Sequence, residues 1–385
     1  MDFSITPEQE HLVEAARTYA TERIAPYYRQ REREERFDRP TLLEMGKLGY
    51  LGIELPEAAG GLGLDCLTAG LVLEALAGAD YNLGYHPLTV SLIGQILQRY
   101  GAPEIVEPYL RGMTVGELIP NIALTEPGAG SDAANLALRA RRSGDGWVLD
   151  GEKSSISMAA QADFTVLFAR TGTPEAKAHG ISAFLVPLND DPTITRGKFN
   201  DHGGRSAGRG TMHFDGTLIP ANHLLGEENK GFVQVMTGFD YSRALIGLQS
   251  LAVARVSLDE TWAYTNQRET FGAPLSERQG VTFPLAEHET YYNAARLQCL
   301  QTLWLKDRGL PHTTEAAMCK WWAPKVAYDA VMACLLTHGH GGYSDEFPFE
   351  QRLRDLLGLQ IGDGTAQIMK MVIGRKFVRE AKGAR

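Results

Sequence analysis

The chain has 385 residues, 44% of them hydrophobic, which is enough for two or three domains with their own cores. A net charge of −9 without a basic stripe argues against nucleic acid as the main partner. The N-terminus is polar and no apolar stretch is long enough to span a bilayer, so we expect a soluble, cytoplasmic protein without membrane insertion. The four cysteines form no CxxC pair, which predicts reduced, mostly buried thiols, and we expect no metal.

The first part of the chain has a helical pattern. Thr-Pro-Glu-Gln at residues 6–9 is typical of a helix start, and apolar residues follow it at helical spacing. Gly-Gly-Leu-Gly at 60–63 interrupts the pattern, which resumes around Leu71 and again around Leu92. We therefore predict an N-terminal all-α domain at residues 1–119.

Short strands and turns replace the helices from about residue 120. A Ser-Gly-Asp-Gly turn at 143–146 precedes a strand-like Trp-Val-Leu at 147–149. Further strand-like runs occupy residues 165–169, 181–186 and 211–214. These patterns predict a middle β domain at residues 120–228.

Long helical patterns return near residue 231 and continue to the end, with a glycine-rich loop at 339–342. They predict a C-terminal helical bundle at residues 229–385. The order of elements, helices then strands then helices, places the chain in the α+β class.

Asp363 lies between two glycines just before an apolar helical pattern. A helix start offers unpaired backbone N–H groups and a positive dipole end, and glycine lets a ligand approach the backbone closely. An acid at this point can act as a base beside an anion-stabilising surface, as removal of a proton next to a carbonyl requires. On this segment alone, an ordinary Asp-Gly-Thr helix cap is the favoured interpretation.

The loop Thr-Glu-Pro-Gly-Ala-Gly-Ser-Asp at 125–132 lies where the first helical block meets the β region. Its small residues expose successive N–H groups, and Thr125 and Ser131 add hydroxyls, which suits a pyrophosphate or a polar ring edge. A bare Gly-x-Gly is usually a surface turn. The loop is not a Rossmann fingerprint, because the third glycine and the strand-then-helix context are missing.

Taken together, several motifs occur in a characteristic order. They occupy residues 48–53, 56–57, 60–63, 123–132, 150–153, 268–272, 279, 347–350, 354–355 and 364–367. Over essentially its full length the chain thereby resembles the acyl-CoA dehydrogenase family. The resemblance implies an N-terminal helical domain, a middle β-barrel-like domain and a C-terminal four-helix bundle. It also implies a homotetramer with FAD between the β domain and the bundle, an acyl-CoA substrate and an electron-transfer flavoprotein as acceptor.

Site residues carry over from the family position by position. The implied FAD contacts in the first two domains are Leu124, Thr125, Gly130, Ser131, Ser155 and Ser157. Those in the C-terminal part are Arg268, Thr270, Phe271 and Gln279, which would reach across a subunit contact, and Gly339, Thr365 and Gln367. The implied substrate contacts are Ser131, Asp240, Arg243, Gly362 and Gly364. Without the resemblance, a surface salt bridge would explain Arg268, and a helix-surface ion pair at i, i+3 would explain Asp240 and Arg243.

The resemblance assigns Asp363 as the base that takes the proton alpha to the thioester carbonyl while hydride leaves the beta carbon. The family usually has Glu preceded by Tyr at this point, whereas this chain has Asp363 preceded by Gly362. The shorter acid and the missing aromatic wall favour a bulky or cyclic acyl group, for example a cyclohexanecarboxyl-type group. Ser155 also replaces an aromatic ring against the flavin, whereas Ser157 keeps a hydroxyl for flavin N5.

Other possibilities remain open from the sequence. Ser242 occupies an alternative base position but cannot serve as a base, and no acid lies between Asp80 and Glu104. Relatives that use Asp as base make a nitroalkane-oxidase-like flavoenzyme the first alternative. An acyl group on a carrier protein and a flavin-binding protein without dehydrogenase activity are the others.

Overall fold

The computed structural model describes residues 4–188 and 191–383. The α-helices of the first part are α1 (Pro7–Tyr19), α2 (Tyr28–Glu34), α3 (Arg39–Lys47), α4 (Cys66–Ala79), α5 (Tyr85–Tyr100) and α6 (Pro103–Thr114). The main strands are β1 (Pro120–Ala123), β2 (Arg139–Ser143), β3 (Gly146–Ser157), β4 (Phe164–Arg170), β5 (Ile181–Pro187), β6 (Ile194–Lys198), β7 (Arg209–Pro220) and β8 (Leu224–Leu225). The last part contains α7 (Gly231–Gln267), β9 (Glu269–Thr270), β10 (Ala273–Pro274), α8 (Gln279–Asp307), α9 (Thr313–Thr337), α10 (Phe349–Ile361) and α11 (Ala366–Gly383). This order confirms the predicted sequence of helices, strands and helices.

The predicted start of α1 is confirmed in detail. The Thr6 hydroxyl accepts a hydrogen bond from Gln9 N at 3.2 Å, and the Gln9 side-chain oxygen accepts one from Thr6 N at 3.0 Å. Pro7 occupies the first turn, where its missing N–H leaves no helical hydrogen bond unmade. Thr6 and Gln9 form a capping box that satisfies two backbone donors at once.

Strands β1–β8 form one eight-stranded sheet. Its order is β6-β7-β3-β2-β4-β5-β8, and β1 pairs in parallel with β4. The predicted turn at 143–146 joins β2 to β3, with Ser143 opposite Gly146 and Gly144 in the left-handed conformation that such a tight turn requires. The four strand-like runs predicted from the sequence lie within β3, β4, β5 and β7. Every residue of β4 is buried, which makes it the centre of this core.

The chain divides into two compact units, each with its own core. The helical unit contains the described residues up to Gln30, Asp65–Tyr85, and those from Asp240 onward. The mixed unit contains Arg31–Leu64 and His86–Phe239, and so includes the sheet. The three domains predicted above, with boundaries after residues 119 and 228, stay a prediction.

Helix α9 is central to the packing of the helical unit. It packs against α8, α10 and α11, and the buried side chains along it include Cys319 and Lys320. All four cysteines are buried thiols outside any disulfide, as predicted. None of the helices in the described part of the chain is long and apolar enough to cross a membrane.

Candidate functional site

Asp363 lies in the turn between α10 and α11, within the helical unit. Helix α10 ends when Gly362 N donates to Gly358 O at 2.9 Å, and Asp363 then adopts φ +53°. A residue with a Cβ pays about 1–2 kcal/mol for this left-handed conformation. A strained conformation persists only where the surrounding structure imposes it, and such conformations are concentrated at functional positions.

The cap of α11 is Thr365 rather than Asp363. Ile368 N donates to the Thr365 hydroxyl at 3.3 Å, and Met369 N donates to Thr365 O at 3.0 Å. The hydroxyl thus takes the place that a capping carboxylate would occupy. The carboxyl group of Asp363 is therefore not committed to the helix start, which removes the ordinary explanation for an acid at this position.

Two cations act on the Asp363 carboxyl. Part of the residue is accessible, but protein surrounds the carboxyl group, and this burial raises its pKa above the ordinary value for aspartate. The charges of Lys320 and Arg243 oppose that rise because they favour the ionised form. Asp363 is thus an acid whose protonation depends on its environment, as a general base requires.

Arg243 on α7 donates from Nη1 to Asp240 Oδ1 at 2.9 Å. The two residues are three apart, as in a helix-surface ion pair, but Arg243 is only 6% exposed. Burial lowers its pKa, and the charges of Asp240 and Asp363 counteract that effect. Arg243 is therefore a buried cation near the candidate base and not a surface residue.

Lys320 on α9 was not identified from the sequence. Its side chain is completely buried, and Nζ donates to Leu359 O at 2.5 Å and to Gly364 O at 3.0 Å. Burial lowers its pKa to about 8, although the charge of Asp363 favours the protonated form. The signal in the sequence was a single lysine within the otherwise apolar stretch at residues 316–323.

The glycines on either side of Asp363 differ in what the backbone requires. Gly362 has φ −62°, and a Cβ built there would meet only Gly358 O, at 3.5 Å. Gly364 has φ +95°, and its Cβ would lie 2.6 Å from Met369 Cε. Glycine is therefore conformationally required at 364 but not at 362, where the missing side chain leaves open space.

In the mixed unit, a buried ion pair anchors the loop predicted to contact the cofactor. Lys153 Nζ donates to Glu126 Oε1 at 2.8 Å and to Leu124 O at 3.0 Å. Glu126 also accepts from the backbone N–H groups of Ala137 and Leu138, at 2.5 and 2.9 Å. Neither role was apparent from the sequence, because the two partners lie 27 residues apart. The pair fixes the backbone on which Leu124, Thr125, Gly130 and Ser131 are carried.

The outer side of this loop is exposed. Gly128 and Gly130 are exposed, and a Cβ built on either would have no atom within 4 Å. The Ser131 hydroxyl is exposed on the same loop, and Thr125 is partly exposed. Open backbone and hydroxyl groups next to a rigid anchor are what a pyrophosphate or a polar ring edge needs.

The Ser155 side chain lies beside the guanidinium group of Arg209. It is exposed at φ +59°, where β3 departs from regular pairing between Lys153 and Ile156. Arg209 Nη1 lies 3.3 Å from the Ser155 hydroxyl, and Arg209 also donates to both carboxylate oxygens of Asp201, at 2.6 and 2.9 Å. Ser157 is opposite Arg209 in the β3–β7 pair. The two serines therefore share one surface with a paired arginine.

The remaining predicted cofactor residues lie in the helical unit. Arg268 precedes the β9–β10 hairpin, which carries Thr270, and Phe271 at its tip is 100% exposed with φ +52°. Gln279 is the first residue of α8. Gly339 lies in the predicted loop after α9, at φ +59°, and Gln367 is exposed in the first turn of α11. Among the exposed large hydrophobic side chains of the described residues, that of Phe271 has the highest exposed fraction.

Comparison with known proteins identifies the family. The chain matches the acyl-CoA dehydrogenase N-terminal domain at residues 6–117, the middle domain at 121–217 and the C-terminal domain at 229–378. It is 33% identical over 380 residues to the probable acyl-CoA dehydrogenase YngJ of Bacillus subtilis, covering 98% of this chain and 100% of that protein.

Two solved structures have the same fold. Butyryl-CoA dehydrogenase from Megasphaera elsdenii is 30% identical, with a TM-score of 0.94 over 98% of this chain and 100% of that one. A glutaryl-CoA dehydrogenase from Mycobacterium smegmatis in complex with FADH2 is 25% identical, with a TM-score of 0.91 over 97% and 95% of the two chains. The chain therefore belongs to the acyl-CoA dehydrogenase family of FAD-dependent oxidoreductases, which act on CH–CH groups.

Proposed function

We propose that this chain dehydrogenates an alicyclic or branched acyl-CoA thioester, of cyclohexanecarboxyl type, with Asp363 as the base. The observation that carries the proposal is the Asp363 carboxyl itself, which does not cap α11 and interacts with the cations Lys320 and Arg243. An enzyme that removes a proton next to a carbonyl needs a carboxylate of this kind.

The chain offers donors for FAD on two sets of elements. In the mixed unit these are Leu124, Thr125, Gly130, Ser131, Ser155 and Ser157, of which the first four lie on the loop anchored by Glu126. In the helical unit they are Arg268, Thr270, Phe271, Gln279, Gly339, Thr365 and Gln367. When bound, FAD supplies the acceptor for the hydride that leaves the beta carbon.

In this proposal a side chain of the protein carries out the proton transfer. Asp363 in its ionised form accepts the alpha proton, and Lys320 and Arg243 favour that form before the substrate arrives. Ser131, Gly362 and Gly364 are proposed to line the substrate, and Asp240 with Arg243 to meet its CoA portion. The left-handed conformation of Asp363 sets the direction in which its carboxylate points.

The acyl group is proposed to be bulky because of two features of the turn. An aspartate places its carboxylate roughly 1.5 Å, one C–C bond, short of where a glutamate would. Gly362 leaves open space, although its backbone conformation does not require a glycine. A wide acyl group would use that space and bring its alpha proton to the shorter base.

Three broader features are proposed on the same basis. The chain would have the three domains with boundaries after residues 119 and 228. It would assemble as a homotetramer, with the exposed hairpin around Phe271 reaching a neighbouring subunit. Electrons would pass to an electron-transfer flavoprotein.

Anaerobic addition of CoA thioesters to the purified flavoprotein tests the proposal. Loss of flavin absorbance with cyclohexanecarbonyl-CoA, and little or none with butyryl-CoA, is the expected result. Asp363→Asn should slow the loss by about 10² to 10⁴ with FAD still bound, because the amide cannot accept the proton. Asp345→Asn changes an exposed acid in a loop and serves as the matched control.

Other outcomes would point elsewhere. No loss of absorbance with any thioester, together with turnover of a nitroalkane in air, would favour the nitroalkane-oxidase alternative. Reaction only with an acyl group attached to a carrier protein would favour the alternative in which the substrate is bound to such a protein. Bleaching by thioesters that persists in Asp363→Asn would leave the dehydrogenase intact but exclude Asp363 as its base.

A further inference from the structure

We propose that Lys320 is the positioning residue of the base, because its buried ammonium group holds the turn that carries Asp363 and favours the ionised carboxylate. This inference rests on the proposed role of Asp363. It gives Lys320 two separable functions, one through hydrogen bonds to the backbone and one through its charge.

The hydrogen bonds of Lys320 bridge the two sides of the Asp363 turn. Leu359 O, which accepts at 2.5 Å, lies in the last turn of α10, and Gly364 O, which accepts at 3.0 Å, directly follows the base. An ammonium group has three donors and no acceptor, so it is suited to joining carbonyl oxygens from different segments. One side chain of α9 thereby fixes the end of α10 and the residue before the cap of α11.

The turn needs such a constraint. Asp363 and Gly364 both have positive φ, +53° and +95°, so two successive residues are left-handed. This conformation is unfavourable for Asp363 and persists only when its surroundings impose it. Lys320 is completely buried and bonds to carbonyl groups on both sides of Asp363, so its side chain can hold Asp363 in this conformation.

Lys320 bonds to carbonyl oxygens and not to a carboxylate. Its Nζ donates to Leu359 O and Gly364 O, and among the described residues no carboxylate lies within 4.0 Å of it. Arg243, the other cation acting on Asp363, is bonded to Asp240 at 2.9 Å. Both cations favour the ionised base, Lys320 more than Arg243, and they act across a buried region where screening is weak.

The other groups around the base are also accounted for. Tyr81, between α4 and α5, is buried, and its pKa is raised first by burial and then by Tyr85, Asp355 and Asp363. It is a neutral phenol at neutral pH. The charged groups facing Asp363 are thus Lys320 from α9 and Arg243 from α7, with Asp240 balancing the second.

Three variants separate the two functions of Lys320. Lys320→Met removes charge and donors, whereas Lys320→Gln keeps N–H donors for the carbonyl groups without the charge. Lys325→Met makes the same change at an exposed lysine of α9 that pairs with Asp329. The first measurement is the pH dependence of anaerobic flavin bleaching by cyclohexanecarbonyl-CoA, with FAD content and melting temperature recorded for each protein.

We expect both Lys320 variants to raise the apparent pKa of the rate profile by about 1 to 3, because a cation near a carboxylate lowers its pKa by that amount. The bleaching rates of both variants should recover towards high pH. The melting temperature should fall less in Lys320→Gln than in Lys320→Met. Lys325→Met should match the wild type. A rate loss that is equal at every pH would show a purely structural role and overturn the inference.

An infrared titration gives a second result that needs no substrate. The absorption of the protonated Asp363 carboxyl, assigned as the band missing from Asp363→Asn, should vanish before neutral pH in the wild type and persist at neutral pH in Lys320→Gln. If the variants at Lys320 do not fold, a protonated band persisting at neutral pH in the wild type would itself overturn the inference. If Asp363→Asn keeps its activity, the proposed base is wrong, which the bleaching assay distinguishes from a failure at Lys320.

Discussion

Asp363 and Gly362 are adjacent in one turn, and neither is the type of residue that its backbone conformation favours. Asp363 has a side chain at φ +53°, where glycine is preferred, and Gly362 lacks one at φ −62°, where most residues fit. Local conformation therefore explains neither residue. Natural sequences depart from local preference mainly where a site needs it, and here the need is a carboxylate beside open space.

A tyrosine at position 362 tests the open space. Gly362→Tyr should fold with stability within about 0.5 kcal/mol of the wild type, because its Cβ meets only Gly358 O at 3.5 Å. The ring should narrow the acyl pocket and lower kcat/KM for cyclohexanecarbonyl-CoA relative to butyryl-CoA by about 10-fold or more. The measurement is the ratio of the two kcat/KM values, with urea unfolding as the stability check.

Gly364→Ala is the matched contrast. Its Cβ would lie 2.6 Å from Met369 Cε at φ +95°, so we expect a loss of about 1 kcal/mol or more in unfolding free energy. Equal stability losses at 362 and 364 would contradict the distinction drawn between the two glycines.

His86 gives the mixed unit a defined response to acid. It is completely buried against Phe37, and burial lowers its pKa from 6.5 to about 3. The unfolded imidazole takes up a proton near pH 6.5, whereas the folded one does so only near pH 3. Stability is therefore lost as pH falls through this window, by up to about 5 kcal/mol at 1.36 kcal/mol for each pKa unit.

His86→Leu should flatten that pH dependence. Both ring nitrogens of His86 lack a hydrogen-bond partner among the described residues, so an apolar side chain of similar size should also raise stability at neutral pH. Urea unfolding at several pH values measures both effects. His179→Leu, at an exposed histidine of the mixed unit, should keep the wild-type dependence, and a His86→Leu protein with that same dependence would exclude this cause.

At the scale of elements, the loop at 124–131 and strand β3 act together through Glu126 and Lys153. The ion pair is buried, and Glu126 also accepts from two backbone N–H groups. Removing one partner of such a pair leaves an uncompensated buried charge, which destabilises a protein by about 3–5 kcal/mol. The pair therefore links the stability of the sheet to the shape of the cofactor loop.

Glu126→Gln should lower both properties at once. We expect about 3–5 kcal/mol less unfolding free energy and weaker retention of FAD, because the Lys153 ammonium group loses its anion and the loop its anchor. Urea unfolding and flavin fluorescence after gel filtration measure the two. Glu228→Gln, which breaks an exposed pair with Arg142, should cost less than about 1 kcal/mol, and equal losses in the two variants would argue against the anchor.

Element positions were predictable from the sequence to the extent that local signals set them. The capping box at Thr6, the turn after Ser143 and the buried strand β4 follow from short-range patterns, and each is confirmed. The candidate base was also visible, as an acid between glycines. The partners of that acid were not visible, because Lys320 lies 44 residues from Gly364 along the chain and only tertiary packing brings them together.

At the scale of the whole molecule, the proposed assembly depends on surfaces that a single chain leaves exposed. Phe271 is fully exposed at the tip of the β9–β10 hairpin, in a left-handed conformation that glycine would adopt without strain. An isolated chain has no evident need for a phenylalanine there. A ring that contacts a second subunit and its cofactor would explain why the strained residue is present.

Phe271→Gly should separate assembly from folding. The helical unit should be no less stable, because the left-handed strain is relieved, but the assembly should become smaller or retain less FAD. Light scattering gives the mass, and absorbance after gel filtration gives the flavin content. Leu218→Ser, at another exposed apolar residue, should change neither, and wild-type mass and flavin in Phe271→Gly would remove Phe271 from the proposed contact.

The helical unit is built from three stretches of chain that lie far apart in sequence, and this has a consequence for synthesis. The Tyr28 hydroxyl donates to Asp355 Oδ2 at 2.6 Å, across 327 residues. At about 5–20 residues per second, the ribosome makes Tyr28 roughly 15–65 s before its partner. The surfaces of the first helices that contact the last helices must therefore remain accessible to chaperones until those helices emerge. A C-terminal truncation that removes Asp355 would accordingly also remove a hydrogen bond made by Tyr28, near the N-terminus.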